Sequence, residues 1–155
     1  DIMIIDTGAG LSRNVMKFVL AASEVIIVTT PEPTAITDAY GLIKVVASNA
    51  HNKPIWLLVN MVKNESEGNQ VVDRLVTVAK KFIGIELEQI GFIPLDPVVS
   101  KAVKEQQPFF ISHPRSAASL SINQIAERLV KGETRRESFL MNKTTFFERL
   151  VEKFR

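Results

Sequence analysis

Apolar residues follow two patterns along the chain. Continuous apolar runs occupy residues 2–5, 25–28 and 55–59, and a run over 87–93 is interrupted by Glu88 and Gln89. A run without alternation is typical of a strand buried on both faces, and an interrupted run is typical of a strand nearer a sheet edge. The intervening segments place apolar residues at helical spacing. Alternating strands and helices predict an α/β fold, a mainly parallel sheet with helices on both faces.

The predicted helices begin at residues that are common helix starts. Ser12 is a candidate N-cap, Thr34 is expected to cap a helix that reaches residue 49, and Asp96 precedes Pro97 at a first helical position. Further helices are expected over residues 66–83, 114–130 and 144–155, and among their inward-facing side chains we expect Phe82 and Ala126.

The opening strand is followed at once by a carboxylate and a glycine-rich turn. Asp6 follows the apolar run, and Gly8 and Gly10 come next. Glycine allows a positive φ or a close approach of the backbone to a ligand. A carboxylate beside bare backbone N–H groups is an arrangement that a magnesium–phosphate site uses. The alternative is that Asp6 caps the next helix.

Polar groups also follow the next two strands. Thr29 and Thr30 end one strand and Asn60 ends the other. The carboxyl ends of parallel strands share one edge of a sheet, which is where open α/β sheets bind ligands. Together with Asp6, these residues predict one crevice at that edge. Asn60 has a structural alternative, since a strand-end Asn often closes a turn.

Composition excludes some classes of site. The chain of 155 residues has no cysteine and only two histidines, which excludes disulfides, Cys-based zinc or iron–sulfur sites and a His-rich metal site. Residues 131–155 hold seven Lys or Arg against four Glu, although the whole chain has a net charge of only +2. The excess positive charge lies in the tail and favours an anionic surface there over general nucleic-acid binding.

The last helix is strongly amphipathic. Its apolar residues share one side of a helical wheel, and its charged residues share the other: the apolar set is Phe146, Phe147, Leu150, Val151 and Phe154. Such a helix is typical of one that lies in a lipid headgroup layer. The alternative is that the helix packs on its own domain or on a neighbouring molecule, since so short a helix is marginal until its apolar face is covered.

The chain opens on a predicted core strand without an initial Met, so we expect it to be the carboxyl-terminal part of a longer protein. Three parts are expected. Residues 1–130 form part of a globular domain, residues 131–142 form a charged linker, and residues 143–155 form the amphipathic helix.

Five segments resemble the MinD/ParA family of ATPases, in the family's order and at its spacing. The opening segment resembles the second switch region, D-x-x-I-I-D-x-x-A-G. The matching segments are Asp1 to Gly10, Thr30 to Tyr40, Val59 to Met61, Ile93 to Ala102, and Pro108 to Ser119. The resemblance covers about residues 1–130, which it assigns to the carboxyl-terminal part of a MinD-like ATPase domain. Residues 31–40 make it most similar to the flagellar-number regulators called FlhG or YlxH.

The resemblance implies roles for residues at matching positions, with ATP and Mg²⁺ as cofactors. Asp6 would hold Mg²⁺ through water and couple the phosphate state to the loop that ends at Gly10. Asn60 would hydrogen-bond the adenine edge. The segment Pro94, Leu95 and Asp96 would pass along the base, largely through its backbone.

A second face is implied at the start of the long helix. Glu32, Thr34 and Asp38 would meet a second subunit or a regulator. The alternative for Asp38 is an ordinary solvated helix start.

The chain departs from the family in the segments that would bind the phosphates. The chain contains no G-x-x-x-x-G-K-[ST] and no first switch. Those groups position and neutralise the transferred phosphate. We therefore expect this chain alone neither to bind ATP tightly nor to hydrolyse it, whereas the full-length protein would be an ATPase.

The resemblance implies an ATP-binding and hydrolysing switch that dimerises, associates with the membrane and controls flagellar number or placement. Its expected location is cytoplasmic and peripheral on the inner face of the cell membrane. Its expected partners are a second copy, a flagellar-assembly GTPase or switch proteins, and an anionic membrane surface, with no nucleic acid.

Other functions remain open. They are a non-catalytic interaction module and a MinD-like cell-division-site ATPase. A ParA-like chromosome-partitioning ATPase should show a basic DNA-binding surface, and a metal-cluster assembly ATPase should usually show a Cys pair; neither is evident.

Overall fold

The computed structural model describes residues 2–8, 10–50, 53–131 and 146–154. Within them three parallel strands form one sheet in the order β1-β2-β3, so the predicted α/β class is confirmed. The strands are β1 (Val25–Thr29), β2 (Ile55–Val62) and β3 (Glu88–Pro94). The helices are α1 (Arg13–Ala21), α2 (Pro33–Asn49), α3 (Glu65–Phe82), α4 (Pro97–Lys104), α5 (Phe109–Ser112), α6 (Ala117–Lys131) and α7 (Phe146–Phe154).

The core lies on both faces of the central strand β2. On one face α1, α2 and α3 bury a large cluster that includes Ile43, Leu57 and Leu75. On the other face α6 packs Ile125 against a smaller cluster with Trp56. Residues 55–59 are all buried, as their continuous apolar pattern predicts.

Two expectations for the sheet are wrong. Residues 2–5 form no strand, and Ile2 and Ile4 are 63% and 78% exposed. A strand needs a hydrogen-bonding neighbour. Within the described residues β1 pairs only with β2, so residues 2–5 have no strand partner there. β1 is buried on one face only, because α6 packs against β3 and leaves Ile26 and Val28 exposed.

Helix starts follow the predictions with one exception. Ser12 caps α1 by accepting a hydrogen bond from the Val15 N–H at 3.3 Å, and Asp96 caps α4. The expected cap at Thr34 is wrong. Pro33 already occupies the first helical position, where its missing N–H costs nothing, so the cap position falls to Glu32.

Two side chains expected in the core are exposed. Phe82 is 67% exposed because the apolar stripe of α3 runs to its last residue, whereas the last residue that the helix buries is Ala79. Ala126 is exposed because α6 meets the sheet through a narrow stripe centred on Ile125. The predicted linker, residues 131–142, lies outside the described residues apart from Lys131, the last residue of α6.

Candidate functional site

The strand ends meet at one edge of the sheet, as their sequence positions predict. Thr29 pairs with Val59, and Asn60 pairs with Ile93 in the next strand. The chain that leaves β3 is held against β2, because the Leu95 N–H donates to the Val62 carbonyl at 2.9 Å. The residues that follow the three strands therefore leave the sheet side by side.

Asn60 is fixed by the backbone that follows it. Its side-chain Oδ1 accepts a hydrogen bond from the Met61 N–H at 2.9 Å. Met61 has a φ of 60°, which a non-glycine residue seldom adopts, and the strand register shifts between Asn60 and Val62. This hydrogen bond is the turn-closing contact that the sequence offers as the structural alternative for Asn60. The residue is half-buried, and an amide can also donate to and accept from a planar base.

The conformation of Met61, at the same edge, was not predictable from the sequence. Backbone strain of this kind concentrates at functional sites. Its side chain is 49% exposed beside Asn60. Gly and Asn are the residues that announce a positive φ in a sequence, so nothing about a methionine predicted this conformation.

The segment after β3 is anchored by the Asp96 carboxylate. Oδ1 accepts from the Val98 N–H at 3.0 Å, and Oδ2 accepts from the Ala118 N–H at 3.2 Å. These backbone hydrogen bonds, the Val98 bond foremost, lower the pKa of Asp96 below its ordinary value of 3.8. The carboxylate thus joins the starts of α4 and α6 and fixes the backbone of residues 94–96.

Because its carboxylate accepts two backbone hydrogen bonds, Asp96 offers a ligand its backbone groups and not its carboxylate. Leu95 is 54% exposed on the same segment, and Pro94 is half-buried. The implied contact of these residues with a base stays a prediction, and the anchored backbone is compatible with it.

The structure does not join the predicted magnesium residue to this edge by any hydrogen bond within the described residues. Asp6 is exposed in an irregular segment, and it has no hydrogen bond or ion pair with any other residue that the structure describes. Gly10 has a φ of +93°, so the turn requires glycine, but a Cβ at either Gly8 or Gly10 would meet nothing within 4 Å. The described residues form no group of three or more metal-ligating side chains. The metal role of Asp6 stays a prediction.

The start of α2 presents an exposed face. Glu32, Thr34 and Asp38 are all exposed, and the last two help to line an open cavity of about 280 Å³. Thr37 also lines it, and its hydroxyl donates to the Pro33 carbonyl at 2.9 Å. The face is accessible, and its implied role as an interface stays a prediction.

Helix α7 packs on α1, which agrees with one of the two alternatives for its apolar face. Phe146 and Leu150 are half-buried, whereas Phe147 and Val151 are 67% and 57% exposed. The Phe154 side chain lies outside the described residues. Across the described part of the chain, no helix combines the length and the apolar character needed to cross a membrane.

The family follows from a comparison with known families. Residues 1–130 match the ParA family model, described as NUBPL iron-transfer P-loop NTPase. The chain belongs to this family of P-loop NTPases. Iron transfer is part of that model's description, and this chain has no cysteine with which to hold a metal cluster.

The chain is similar in sequence to flagellar regulators among its curated relatives, which confirms the resemblance. The antiactivator FleN of Pseudomonas aeruginosa is 38% identical over 129 residues, covering 83% of this chain and 46% of that protein. The flagellum site-determining protein YlxH of Helicobacter pylori is 40% identical over 132 residues, covering 84% and 44%. The septum site-determining protein MinD of Bacillus subtilis is 30% identical, covering 84% and 47%. The chain thus spans less than half the length of these relatives.

Solved structures confirm the fold. The MinD cell division protein of Aquifex aeolicus superimposes with a TM-score of 0.57 at 28% identity, covering 73% of this chain and 45% of that one. The cell division ATPase MinD of Pyrococcus furiosus has a TM-score of 0.62 at 22% identity, covering 81% and 50%.

The described residues are compatible with a nucleotide on the side of its base. An anchored backbone and an oriented amide meet at the Asn60 edge, which suits a planar base. The phosphate-binding sequence of the P-loop is absent from the chain, and the glycine turn at Gly10 stands in open space. The described residues at this edge are therefore compatible with a base, and the chain lacks the family's phosphate-binding sequence.

Proposed function

We propose that this chain is the carboxyl-terminal half of an ATP-dependent MinD-like switch that controls the number or placement of flagella. The observation that supports it best is the convergence of Thr29, Asn60 and the anchored segment 94–96 at one sheet edge, in a chain of the ParA family. The flagellar assignment rests on the similarity to FleN and YlxH.

In this proposal the residues of the chain bind and orient the base. The Asn60 amide, whose Oδ1 accepts from the Met61 N–H, pairs with the adenine edge. Asp96 keeps the passing backbone in place through its two helix caps. Asp6 would hold Mg²⁺ through water, and the bound ion would neutralise phosphate charge. The phosphate-binding loop belongs to residues outside this chain.

The switch acts through dimerisation and membrane residence. The exposed start of α2, with Thr34 and Asp38, faces the second subunit. Helix α7 presents exposed Phe147 and Val151 to an anionic lipid surface. One short amphipathic helix is a weak anchor, and pairing two of them in an ATP-bound dimer raises the effective affinity without any new contact.

A second candidate is a non-catalytic interaction module. The observation that favours it is the lack of a phosphate-binding sequence anywhere in the chain. The sequence that precedes residue 1 in the gene separates the two, since a glycine-rich loop with its lysines favours the switch.

The test of the nucleotide site uses the full-length protein and two asparagine variants. Asn60→Ala removes the amide from the sheet edge, and the matched control Asn69→Ala removes an exposed amide from α3. Asn60→Ala should weaken ATP binding about tenfold, roughly the worth of one well-made hydrogen bond, and should weaken GTP binding less. Calorimetric titration measures both. Equal losses for the two variants, or for the two nucleotides, would contradict the assigned role.

The flagellar assignment is tested in cells. Deleting the gene should change the number or position of flagella counted by electron microscopy, and the full-length Asn60→Ala protein should fail to restore them. A deletion strain with normal flagella and misplaced septa would instead indicate a cell-division role.

A further inference from the structure

Two cationic side chains from different parts of the chain cap the carboxyl end of α1. The last four carbonyls of a helix have no partner inside it. Lys53, in the loop before β2, donates to the carbonyls of Val19 and Leu20 at 3.0 and 2.9 Å, and also to that of Ala22. The remaining carbonyl, that of Ala21, accepts from Arg149 Nε at 3.0 Å.

Arg149 belongs to α7, so docking of α7 completes the cap. A second guanidinium nitrogen, Nη2, donates to the Ser23 hydroxyl at 3.0 Å. One side chain thus ties α7 to both sides of the turn after α1. Such charge-assisted hydrogen bonds are stronger than neutral ones, and a cation is favoured at a helix carboxyl end.

Docking on α1 also covers only part of the apolar face of α7. Phe146 and Leu150 are half-buried in the docked helix, and Phe147 and Val151 stay exposed. A helix on a lipid surface buries its whole apolar face. The docked helix therefore withholds part of the surface that a membrane would cover.

The contact is balanced by repulsion between cations. Burial, and then the positive charges of Arg149 and Lys153, lower the pKa of Lys53 from 10.5 to about 8. Bringing α7 onto α1 thus places like charges together, which opposes the hydrogen bonds of Arg149. A contact opposed in this way is suited to opening.

We propose that Arg149 is a latch that holds α7 on α1 and competes with an anionic phospholipid surface for the apolar face of the helix. Opening the latch frees Phe146 and Leu150, so that the whole stripe meets the lipid. This inference rests on the proposed membrane role of α7.

The first readout needs no membrane. Hydrogen exchange of the amides in residues 146–154 reports docking in the 155-residue chain. Arg149→Ala should speed exchange roughly tenfold, and Ser23→Ala should speed it less. Lys153→Ala removes the same charge from the same helix without removing a hydrogen bond to α1, and it should leave exchange unchanged or slower. Equal exchange in Arg149→Ala and Lys153→Ala would overturn the latch.

The second readout is co-sedimentation with vesicles of phosphatidylglycerol and phosphatidylcholine. Ser23→Ala leaves every residue of α7 in place, so tighter binding by this variant reports release alone. Arg149→Ala should also bind more tightly, although it has lost a positive charge, and Lys153→Ala should bind more weakly. Weaker binding by both Ser23→Ala and Arg149→Ala would overturn the competition.

A fourth variant separates failure of the latch from failure of the membrane role. Val151 is exposed in the docked helix, so Val151→Ser should weaken vesicle binding without changing exchange. If neither the parent chain nor any variant binds vesicles, the membrane role and the competition both fall, and the exchange rates still decide whether Arg149 holds α7.

Discussion

Two apolar runs of similar composition have opposite fates in this molecule. Residues 55–59 are the first five residues of the central strand β2, with strands on both sides and every residue buried. Residues 2–5 form no strand, and Ile4 is 78% exposed. The difference teaches that an apolar run supplies only the capacity to be buried. Strand structure also needs a hydrogen-bonding neighbour and helices that cover the faces.

The largest expected effect compares the two runs directly. Leu57 is 1% exposed in β2, so Leu57→Ala should lower the free energy of unfolding by about 2–5 kcal/mol. The matched variant Ile4→Ala should change it by no more than about 0.5 kcal/mol. Urea unfolding measures both. A large cost at Ile4 would mean that the opening run is packed in solution.

The next effect tests how closely α6 covers β3. A Cβ on Gly91 would lie 2.7 Å from Ile125 Cγ1, so Gly91→Ala should cost about 1–3 kcal/mol through overpacking. A Cβ on Gly41, in α2, meets nothing within 4 Å, and Gly41→Ala should stabilise the chain by about 0.5–1 kcal/mol. Thermal unfolding gives the sign of each change. If both substitutions stabilise the chain, α6 lies farther from the sheet than described.

A smaller effect concerns the anchor beyond β3. Asp96→Ala removes a cap shared by α4 and α6, and should cost about 1–2 kcal/mol at neutral pH. The folded pKa is lowered, so the charged form contributes stability above the unfolded pKa and loses it as pH falls through the folded value. The difference in the free energy of unfolding between the parent chain and Asp96→Ala should narrow below about pH 4. Exposed Asp73→Asn is the control and should show no such difference.

The last effect lies before β2, at Lys53, and appears only as a dependence of stability on alkaline pH. Its pKa is about 8 in the folded chain against an ordinary 10.5, so the unfolded chain binds an extra proton between these values. Stability should therefore rise with pH across that window. Lys53→Met should flatten this part of the profile, measured by urea unfolding at several pH values. An unchanged slope in Lys53→Met would assign the titration to another group.

Periodicity and cap chemistry were enough to predict most of the fold. The buried strand 55–59, the caps at Ser12 and Asp96 and the edge position of β3 follow from local rules about burial and helix ends. The failures involve tertiary context. Exposure of Ile26 and Val28 depends on how far α6 reaches across the sheet, which no local pattern encodes.

The site was predictable to the extent that it depends on strand ends. Parallel strands place their carboxyl ends at one edge, so the sequence positions of Thr30 and Asn60 predicted their proximity. The positive φ of Met61 was not predictable, because the turn and not the residue type imposes it. The Arg149 contact with α1 joins residues 128 apart in the sequence, a separation that local patterns cannot reach.

The central claim is that this chain holds the base side of an adenine-nucleotide site and lacks the phosphate side. Titration of the 155-residue chain with ATP and with adenosine, followed by amide NMR shifts, tests it most directly. Both ligands should shift the amides of Asn60, Met61 and Leu95 with similar, millimolar affinity, because the phosphates find no loop to bind. Micromolar binding of ATP, or shifts confined to residues far from this edge, would contradict the claim.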